Sequence, residues 1–588
     1  MQDFKADNSN TFALLAFIGG AAAFFAMPID PPFWALAALA AGVFAAWYKH
    51  RTLVPILAAF SIGFVMVWAR AGAIDFPRIQ EPIEKTWLEG KVLEAVPFGA
   101  MTMLTLEPTF IRAYRGKDEP LPRKLVIWGR GNGFIPGQHI AMFAQLNPIG
   151  PPAVPGYNDR RAADWFRSIG GRGQALSRAR ITDGSQASFW EGLRNKIRLR
   201  IFEVLPKEQA GIVTALSIGW QGFIPRSVRQ DYRNSGISHV LSISGLHMVL
   251  LAGTVFFLVR KPLNMFGRFD AMDTKKYAAM AALAAMTGYL MISGMSVPAV
   301  RSFIMAAIAL LAMMINRRTV SKQLLALAAV LIIIYDPPSM LSPVFQLSFT
   351  AVLALITLFE QVDFTRFNRW AAVALTVLGV NVAAMLATLP IIMYHFGQVS
   401  TLDVLANFAI SPLFGIWIMP MVFLGLATMP LGFDLPLKLA GAGTSIMTWV
   451  AGTAASMPWA VFPTSAMPGW GLVLAMASVL IISLVRGRIR FIAVGIWVMA
   501  VLSPMTVSLP DIYAVPGLAA ARNADGLCFS DARKKVSVRR EWLKHAGFNG
   551  HKSVRCKETL DIDVDQPTLI WLDPPRIKTD ECKRVWCG

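Results

Sequence analysis

The chain has 588 residues, 55% of them hydrophobic and 16% charged, with a mean hydropathy of +0.50. That composition excludes an ordinary soluble enzyme and predicts a protein that crosses the bilayer many times. The formal net charge is +20. In a soluble protein it would suggest nucleic-acid binding, but here part of it is the Lys and Arg that cytoplasmic loops collect.

Apolar runs near 11–28, 33–48 and 52–69 predict three transmembrane helices within residues 1–74. The first leads straight into the second, so it reads as a span and not as a cleavable signal peptide. Lys49, His50 and Arg51 place the second loop in the cytoplasm and residue 70 outside. Residues 75–190 change character. Short strands are expected near 86–95, 101–111, 123–128 and 139–145, separated by Gly131-Asn132-Gly133 and Pro136-Gly137. This is the pattern of an inserted extracytoplasmic small β-barrel, OB-like in size. The region is only mildly basic. Its aromatics are interleaved with cations, however: Trp87, Tyr114, Trp128, Tyr157, Trp165 and Phe166 among Arg112, Arg115, Arg130, Arg160, Arg161 and Arg167. Stacking rings beside cations suit single-stranded nucleic acid; the competing reading is a barrel core with a solvated rim. Residues 190–234 read as an amphipathic helix at the membrane surface, with Arg194, Lys196, Arg198 and Arg200 alternating with apolar residues, followed by a less regular stretch.

About ten further apolar runs follow, near 237–259, 277–293, 297–315, 322–335, 343–359, 371–397, 403–429, 437–457, 469–485 and 490–508. Arg260, Lys261, Arg268, Lys275 and Lys276 fall in one loop; Arg317, Arg318 and Lys322 in another; then Arg366 and Arg369; then Arg486, Arg488 and Arg490. The intervening loops at 294–296, 336–342, 398–402 and 458–468 contain no Lys or Arg. All basic loops thus share one side, which the positive-inside rule assigns to the cytoplasm. Asp336-Pro337-Pro338 and Ser342-Pro343 interrupt the pattern and mark a half-span or re-entrant segment. Cys528, Cys556, Cys582 and Cys587 all lie in the polar tail, residues 509–588. An outside location permits two disulfides among them, in any of three pairings; their spacing disfavours zinc. The expected fold is a polytopic α-helical membrane protein of about 13 spans. It carries the barrel at 75–190, a channel region at 191–508 and a short extracytoplasmic C-terminal module.

The polar stretch Gly236-Ile-Ser-His-Val-Leu-Ser-Ile-Ser-Gly-Leu-His-Met248 opens the first run after the barrel. Ser238, His239, Ser242, Ser244, Gly245 and His247 are unusual at membrane depth, where polar groups face a partner or a hydrated cavity. Three chemistries compete with a broken-helix gate. His239 and His247 could ligate a metal, but their spacing of eight sets them about 80° apart on one straight helix. Ser242 or Ser244 with His247 could form a membrane-embedded Ser/His hydrolase or lipid-modifying site, without a nucleophile elbow or acidic orienter. The residues could also simply join helices. Arg301 lies four residues inside its span; it could meet a phosphate, pair internally or snorkel. Gln346, Ser348, Asn381, Tyr394, His395 and Asn407 add polar points to later spans. No metal cluster, phosphate loop or dinucleotide fingerprint occurs, so no cofactor is expected and catalysis by this chain is not required.

The 236–247 block closely resembles the signature of ComEC-type competence proteins, inner-membrane channels for DNA uptake. Val297-Pro-Ala-Val-Arg301, Asp336-Pro337 leading to Phe345-Gln-Leu-Ser-Phe349, and Leu389-Pro390 through His395-Phe396-Gly397 to Asn407 and Pro412 are similar to later family blocks. Pro151–Asp159 and Gly170–Ala175 resemble the end of its OB-like domain. The resemblance spans about residues 10–508. It implies import of single-stranded DNA in natural transformation, membrane lipid around the helices, a DNA receptor outside and a cytoplasmic motor inside, and leaves a homodimer open. It also implies that the path or gate is lined by Ser238, His239, Ser242, Ser244, Gly245, His247, Arg301, Gln346, Ser348, His395 and Asn407. Trp87, Arg112, Arg115, Trp128, Arg130, Arg160 and Arg161 become candidate DNA contacts. Two departures stand out. Trp220 occupies a place where the family commonly has an acidic residue. The tail resembles no metallo-β-lactamase-like domain, so nuclease activity is not carried over. A small-solute transporter on the same fold is the remaining alternative.

Overall fold

The computed structural model describes residues 2–27, 33–49, 53–98, 101–113, 121–131, 134–154, 159–183, 189–265, 271–316, 321–485, 487–515, 517–523, 526–531, 535–548, 554–556 and 568–570. Arg115, Cys582 and Cys587 lie outside them, as do Tyr114, Tyr157, Arg268, Arg317, Arg318 and Arg486. Helices α1 (Gln2–Ala26), α2 (Phe33–Lys49) and α3 (Val54–Gly72) come first. Strands β1 (Ile83–Phe98), β2 (Met101–Ala113), β3 (Lys124–Arg130) and β4 (His139–Asn147) follow, then helix α4 (Arg161–Phe166), β5 (Ile169–Ala175) and β6 (Arg180–Asp183). Next are α5 (Phe189–Val204), α6 (Lys207–Ile218), α7 (Arg226–Asn234), α8 (Gly245–Met265), α9 (Ala271–Ile292), α10 (Val297–Met314) and α11 (Lys322–Tyr335). After them come α12 (Pro343–Gln361), α13 (Arg369–Phe396), the short strand β7 (Gln398–Ser400), α14 (Asp403–Pro412), α15 (Met419–Thr428) and α16 (Leu435–Ala455). The chain continues with β8 (Val461–Pro463), α17 (Gly469–Leu484) and α18 (Ile489–Leu502). The tail holds β9 (Ile512–Val515), β10 (Leu518–Asn523), β11 (Gly526–Phe529), α19 (Val536–His545), β12 (Val554–Arg555) and β13 (Thr568–Ile570).

Among the described residues, seven helical stretches are long and apolar enough to cross a membrane: 54–72, 245–265, 297–314, 343–361, 369–396, 403–431 and 489–506. Shorter apolar helices run over 10–26, 322–335 and 469–484. The interruption at Asp336-Pro337 is a 3-10 turn, Pro337–Leu341, between α11 and α12. Proline at the entry to a turn or helix removes no hydrogen bond that the helix needs, so the chain can restart as α12 at Pro343.

The chain divides into two compact units. The first comprises residues 1–149, 163–342 and 405–456. Within it β1, β2, β3, β5 and β4 pair in that order, and β4 pairs back onto β1, closing a five-stranded barrel; β6 pairs with β4 along the edge that β5 also uses. Alternation puts Leu104 and Leu106, Leu125 and Ile127, and Ile140, Met142, Ala144 and Leu146 into one core. A second core joins α5, α6 and α7 to α14, α15 and α16. The stretch read as irregular after the amphipathic α5 contains α6, and every residue from Ala210 to Ile218 is buried. Its Gln, Thr and Ser content hides a helix that is covered on all faces. Pro206 starts it and Gly219, at φ +77°, ends it.

The second unit comprises residues 150–162, 343–404 and 457–588. The tail forms a five-stranded sheet in the order β12-β11-β10-β9-β13. Trp542 on α19 is its largest fully buried side chain, packed with Tyr513, Phe529 and Val154. The Trp542 indole donates to the Ala153 carbonyl at 2.9 Å.

Candidate functional site

The Ser-Gly-Leu-His block is a helix start. Residues Ser238–Leu241 make one 3-10 turn, Ser242 is extended, and α8 begins at Gly245. Ser244 precedes the helix, and its carbonyl accepts from the Met248 N–H at 3.3 Å. His247, three residues on, reaches back: its Nδ1 accepts from the Ser244 backbone N–H at 3.2 Å and lies 3.0 Å from Ser244 Oγ. That is the back-reaching half of a capping box, with imidazole in the place usually held by Glu or Gln. Accepting from an N–H requires Nδ1 to be unprotonated, so the proton sits on Nε2. Nε2 is buried with no hydrogen-bond partner. The ring, 0% exposed, meets Phe414 edge-on at 5.1 Å between centroids. Phe414 lies in a π-helical stretch, Leu413–Ile418, that joins α14 to α15. Such a wide turn re-aims side chains and recurs at functional sites.

Of the remaining residues in this block, Ser238 and His239 are exposed on the 3-10 turn and Ser242 is half-buried. Among the described residues no group of three or more His, Cys, Asp or Glu could hold a metal ion. Gly245 has open space where a Cβ would sit. Arg301 is 3% exposed, and its Nε and Nη1 have no partner. Asn407 on α14 is buried, and its carbonyl accepts from the Ser411 hydroxyl at 2.6 Å. In the second unit His395 Nε2 and Gln346 Oε1 are 2.9 Å apart, joining α13 to α12. Ser348 instead donates to the Val344 carbonyl of its own helix at 2.8 Å.

The outer face of the barrel carries a row across three strands. Trp87 on β1 is in register with Phe143 on β4 and with Arg112 on β2. The two rings meet edge-on at 4.9 Å, Lys85 Nζ lies 5.1 Å over Phe143, and the indole donates to Glu89 at 2.7 Å. Arg112 points outward because of a bulge. Leu104 and Leu106 face the core, so unbroken alternation would turn residue 112 inward as well. The register shift between Glu89 and Gly90 rephases the strand, leaving Ile111 in the core and Arg112 exposed. Trp128 and Arg130 sit at the far end of β2, where Trp128 pairs with Met103. That is roughly 30 Å along the strand from Arg112, so the named cations and rings form two patches. Arg160 and Arg161 belong to the second unit. Arg160 is exposed, and Arg161 pairs with Asp159 at 2.6 Å. Lys85 and Phe143 were missed by the sequence reading. Only the β1–β4 pairing brings them to Trp87.

The barrel is tied to the helices of its own unit at three points. The Trp165 indole donates to the Ala71 carbonyl at the end of α3, at 3.1 Å. Arg167 lies 3.7 Å from Asp336, just past α11. The tip of β1 rests on the 3-10 turn Gln221–Phe223 so closely that a Cβ on Gly222 would collide with the Pro97 carbonyl. Gln221 in turn donates to the Leu241 carbonyl at 3.1 Å, one step from the break before α8. A chain of contacts therefore runs from the barrel to the polar helix start. Beside it, Arg194 on α5 caps the end of α6 by donating to the Ile218 carbonyl at 3.3 Å, and stacks on Trp220 at 4.8 Å.

In the tail Cys528 and Cys556 form a disulfide. His545 Nδ1 and the Tyr513 hydroxyl are 2.9 Å apart. Burial pushes the His545 imidazole down to about 4 and the Tyr513 phenol up.

Residues 216–489 match the family described as "Competence protein". The chain is 28% identical over 221 residues to "ComE operon protein 3" of Bacillus subtilis (strain 168), covering 37% of this chain and 26% of that protein. It is 30% identical over 289 residues to "Competence protein ComA" of Neisseria gonorrhoeae, covering 47% and 38%. It is 26% identical over 251 residues to "Recombination protein 2" of Haemophilus influenzae (strain ATCC 51907 / DSM 11121 / KW20 / Rd), covering 40% and 31%. The matched stretch thus spans well under half the length of each of these relatives. No solved structure matches.

Proposed function

We propose, from the match of residues 216–489 to the competence-protein family, that the chain is a ComEC-type protein that passes single-stranded DNA inward across the inner membrane during natural transformation. The observation that carries this reading is the Phe143–Trp87–Arg112 row on a barrel whose β1 tip rests on Gly222, next to the helix break. Rings take bases and cations take phosphates without regard to sequence, as a strand importer requires. The barrel and the tail face the extracytoplasmic side, where the Cys528–Cys556 disulfide is stable. The strand comes from a DNA receptor outside and is drawn inward by a separate motor. The path passes Ser238, His239, Ser242 and the start of α8.

The test is transformation of the source organism with the chain deleted and with Trp87→Ala, Phe143→Ala and Arg112→Ala variants. Uptake falls in each; unchanged uptake in the deletion strain rules out the channel. Under reducing conditions, a membrane-impermeant thiol reagent labels the tail cysteines of intact cells. Labelling only after lysis would invert the topology.

The 3.0 Å Ser244–His247 contact favours a second reading, a membrane-embedded hydrolase. It weighs less, because Nδ1 is already engaged by a backbone N–H and Nε2 has no acidic orienter. A Ser-reactive fluorophosphonate labels Ser244 only if that reading is correct.

A further inference from the structure

Arg301 is a buried charge in the first unit. It stands in the first turns of α10, whose N-cap, Ser296, gives no side-chain hydrogen bond to the helix. The guanidinium is 3% exposed, with Nε and Nη1 unpartnered. A buried charge with unmade hydrogen bonds is strongly destabilising, so these donors call for a partner from outside the chain. Asp336 is the charge that acts on it electrostatically. The ion pair that the Asp336 carboxylate makes is with Arg167, 3.7 Å away on a half-exposed side chain. In the same turn Ser339 donates its N–H to the Asp336 carbonyl at 3.0 Å. The Ser339 hydroxyl is buried and also unpartnered. Arg301 Nε and Nη1 and the Ser339 hydroxyl are thus buried donors without partners, while the Asp336 carboxylate already faces a second arginine. Guanidinium donors and a hydroxyl match the oxygens of a phosphodiester.

Resting on the single-strand reading above, we propose that Arg301, with the Ser339 hydroxyl, binds a backbone phosphate of the passing strand, which takes Arg301 over from Asp336 while Arg167 retains the carboxylate. The position is then a ratchet point between barrel and helices: Arg167 belongs to the barrel and Arg301 to α10. Binding is reversible because Asp336 competes with each phosphate, so the strand can move on.

The experiment uses the full chain in phosphatidylcholine nanodiscs and a labelled oligothymidylate, with affinity measured across a salt series. Arg301→Gln weakens binding by about tenfold, the scale of one charge-assisted contact, and lowers the salt slope by about 0.7, one single-strand phosphate. Asp336→Asn, which keeps the arginine and its fold, tightens binding. The double variant stays as weak as Arg301→Gln. A purely structural Arg301–Asp336 pair would instead give a double variant with wild-type affinity and slope, and Asp336→Asn no tighter than wild type; either result overturns the inference. So would an Arg301 effect that appears only as a thermal shift on adding phosphatidylglycerol, which assigns the site to lipid. If Trp87→Ala loses binding while every Arg301 and Asp336 variant matches wild type, this inference falls and the proposed function stands. If wild-type chain binds no oligothymidylate, the proposed function itself falls.

Discussion

Replacing His247 by Gln separates a helix-capping histidine from a chemically active one. The imidazole does two things in the structure: Nδ1 accepts from Ser244, and the ring fills a fully buried position against Phe414. Gln at the third helical position retains the acceptor, as in an ordinary capping box, and fills part of the volume. The expected loss is about 1–2 kcal/mol, mostly packing. Ala loses both. A buried ring truncated to a methyl costs about 3–5 kcal/mol, which includes a capping share of about 1 kcal/mol. Ser244→Ala removes only the side-chain part of the cap and costs about 1 kcal/mol. The order of melting temperatures in detergent is therefore wild type, then Ser244→Ala and His247→Gln close together, then His247→Ala well below. Uptake measured in the same strains follows the same order, because the cap positions the start of α8. A His247→Gln chain that melts beside Ser244→Ala yet imports no DNA would refute the reasoning, since the loss would then belong to imidazole chemistry.

Three further outcomes follow from particular contacts. Gly222→Ala forces the β1 tip away from Pro97 and lowers both melting temperature and uptake, at about 1–3 kcal/mol of overpacking; Gly253→Ala on α8, where a Cβ meets nothing within 4 Å, is neutral or slightly stabilising. Comparing the two by thermal melting tests whether the barrel contact matters. The tail sheet loses stability as pH falls: His545 is held neutral at about 4 when folded and titrates near 6.5 when unfolded. Its contribution is complete above 6.5 and lost between 6.5 and 4, up to about 3 kcal/mol, measurable as protease sensitivity of the tail across that window. Reducing Cys528–Cys556, which closes 28 residues of sequence, lowers tail stability by about 3–4 kcal/mol in the chain-entropy account, visible as faster amide exchange in β11 and α19.

Much of the architecture is readable from the order of residues. Apolar runs of span length, and the sorting of Lys and Arg into alternate loops, are one-dimensional signals, because the bilayer imposes length and the cytoplasmic face imposes charge. The strands of the barrel are marked in the same way by alternation and by Gly-rich turns. The buried helix α6 is not, since a helix covered on every face has no polar stripe to announce it. Arg112 could not be oriented, because the bulge beside Gly90 decides its direction. Phe143 and Lys85 reach Trp87 only through barrel closure.

The polar block at 236–248 shows the division most sharply. The residue types alone determined that this stretch is a break in an otherwise apolar segment, since serines, a glycine and histidines do not continue a lipid-facing helix. Tertiary structure decided what each residue does there. His247 turns inward and caps α8, while His239, eight residues earlier, stays exposed. Composition records which groups must find partners, but only packing selects the partner. At Arg301, packing leaves Nε and Nη1 without one.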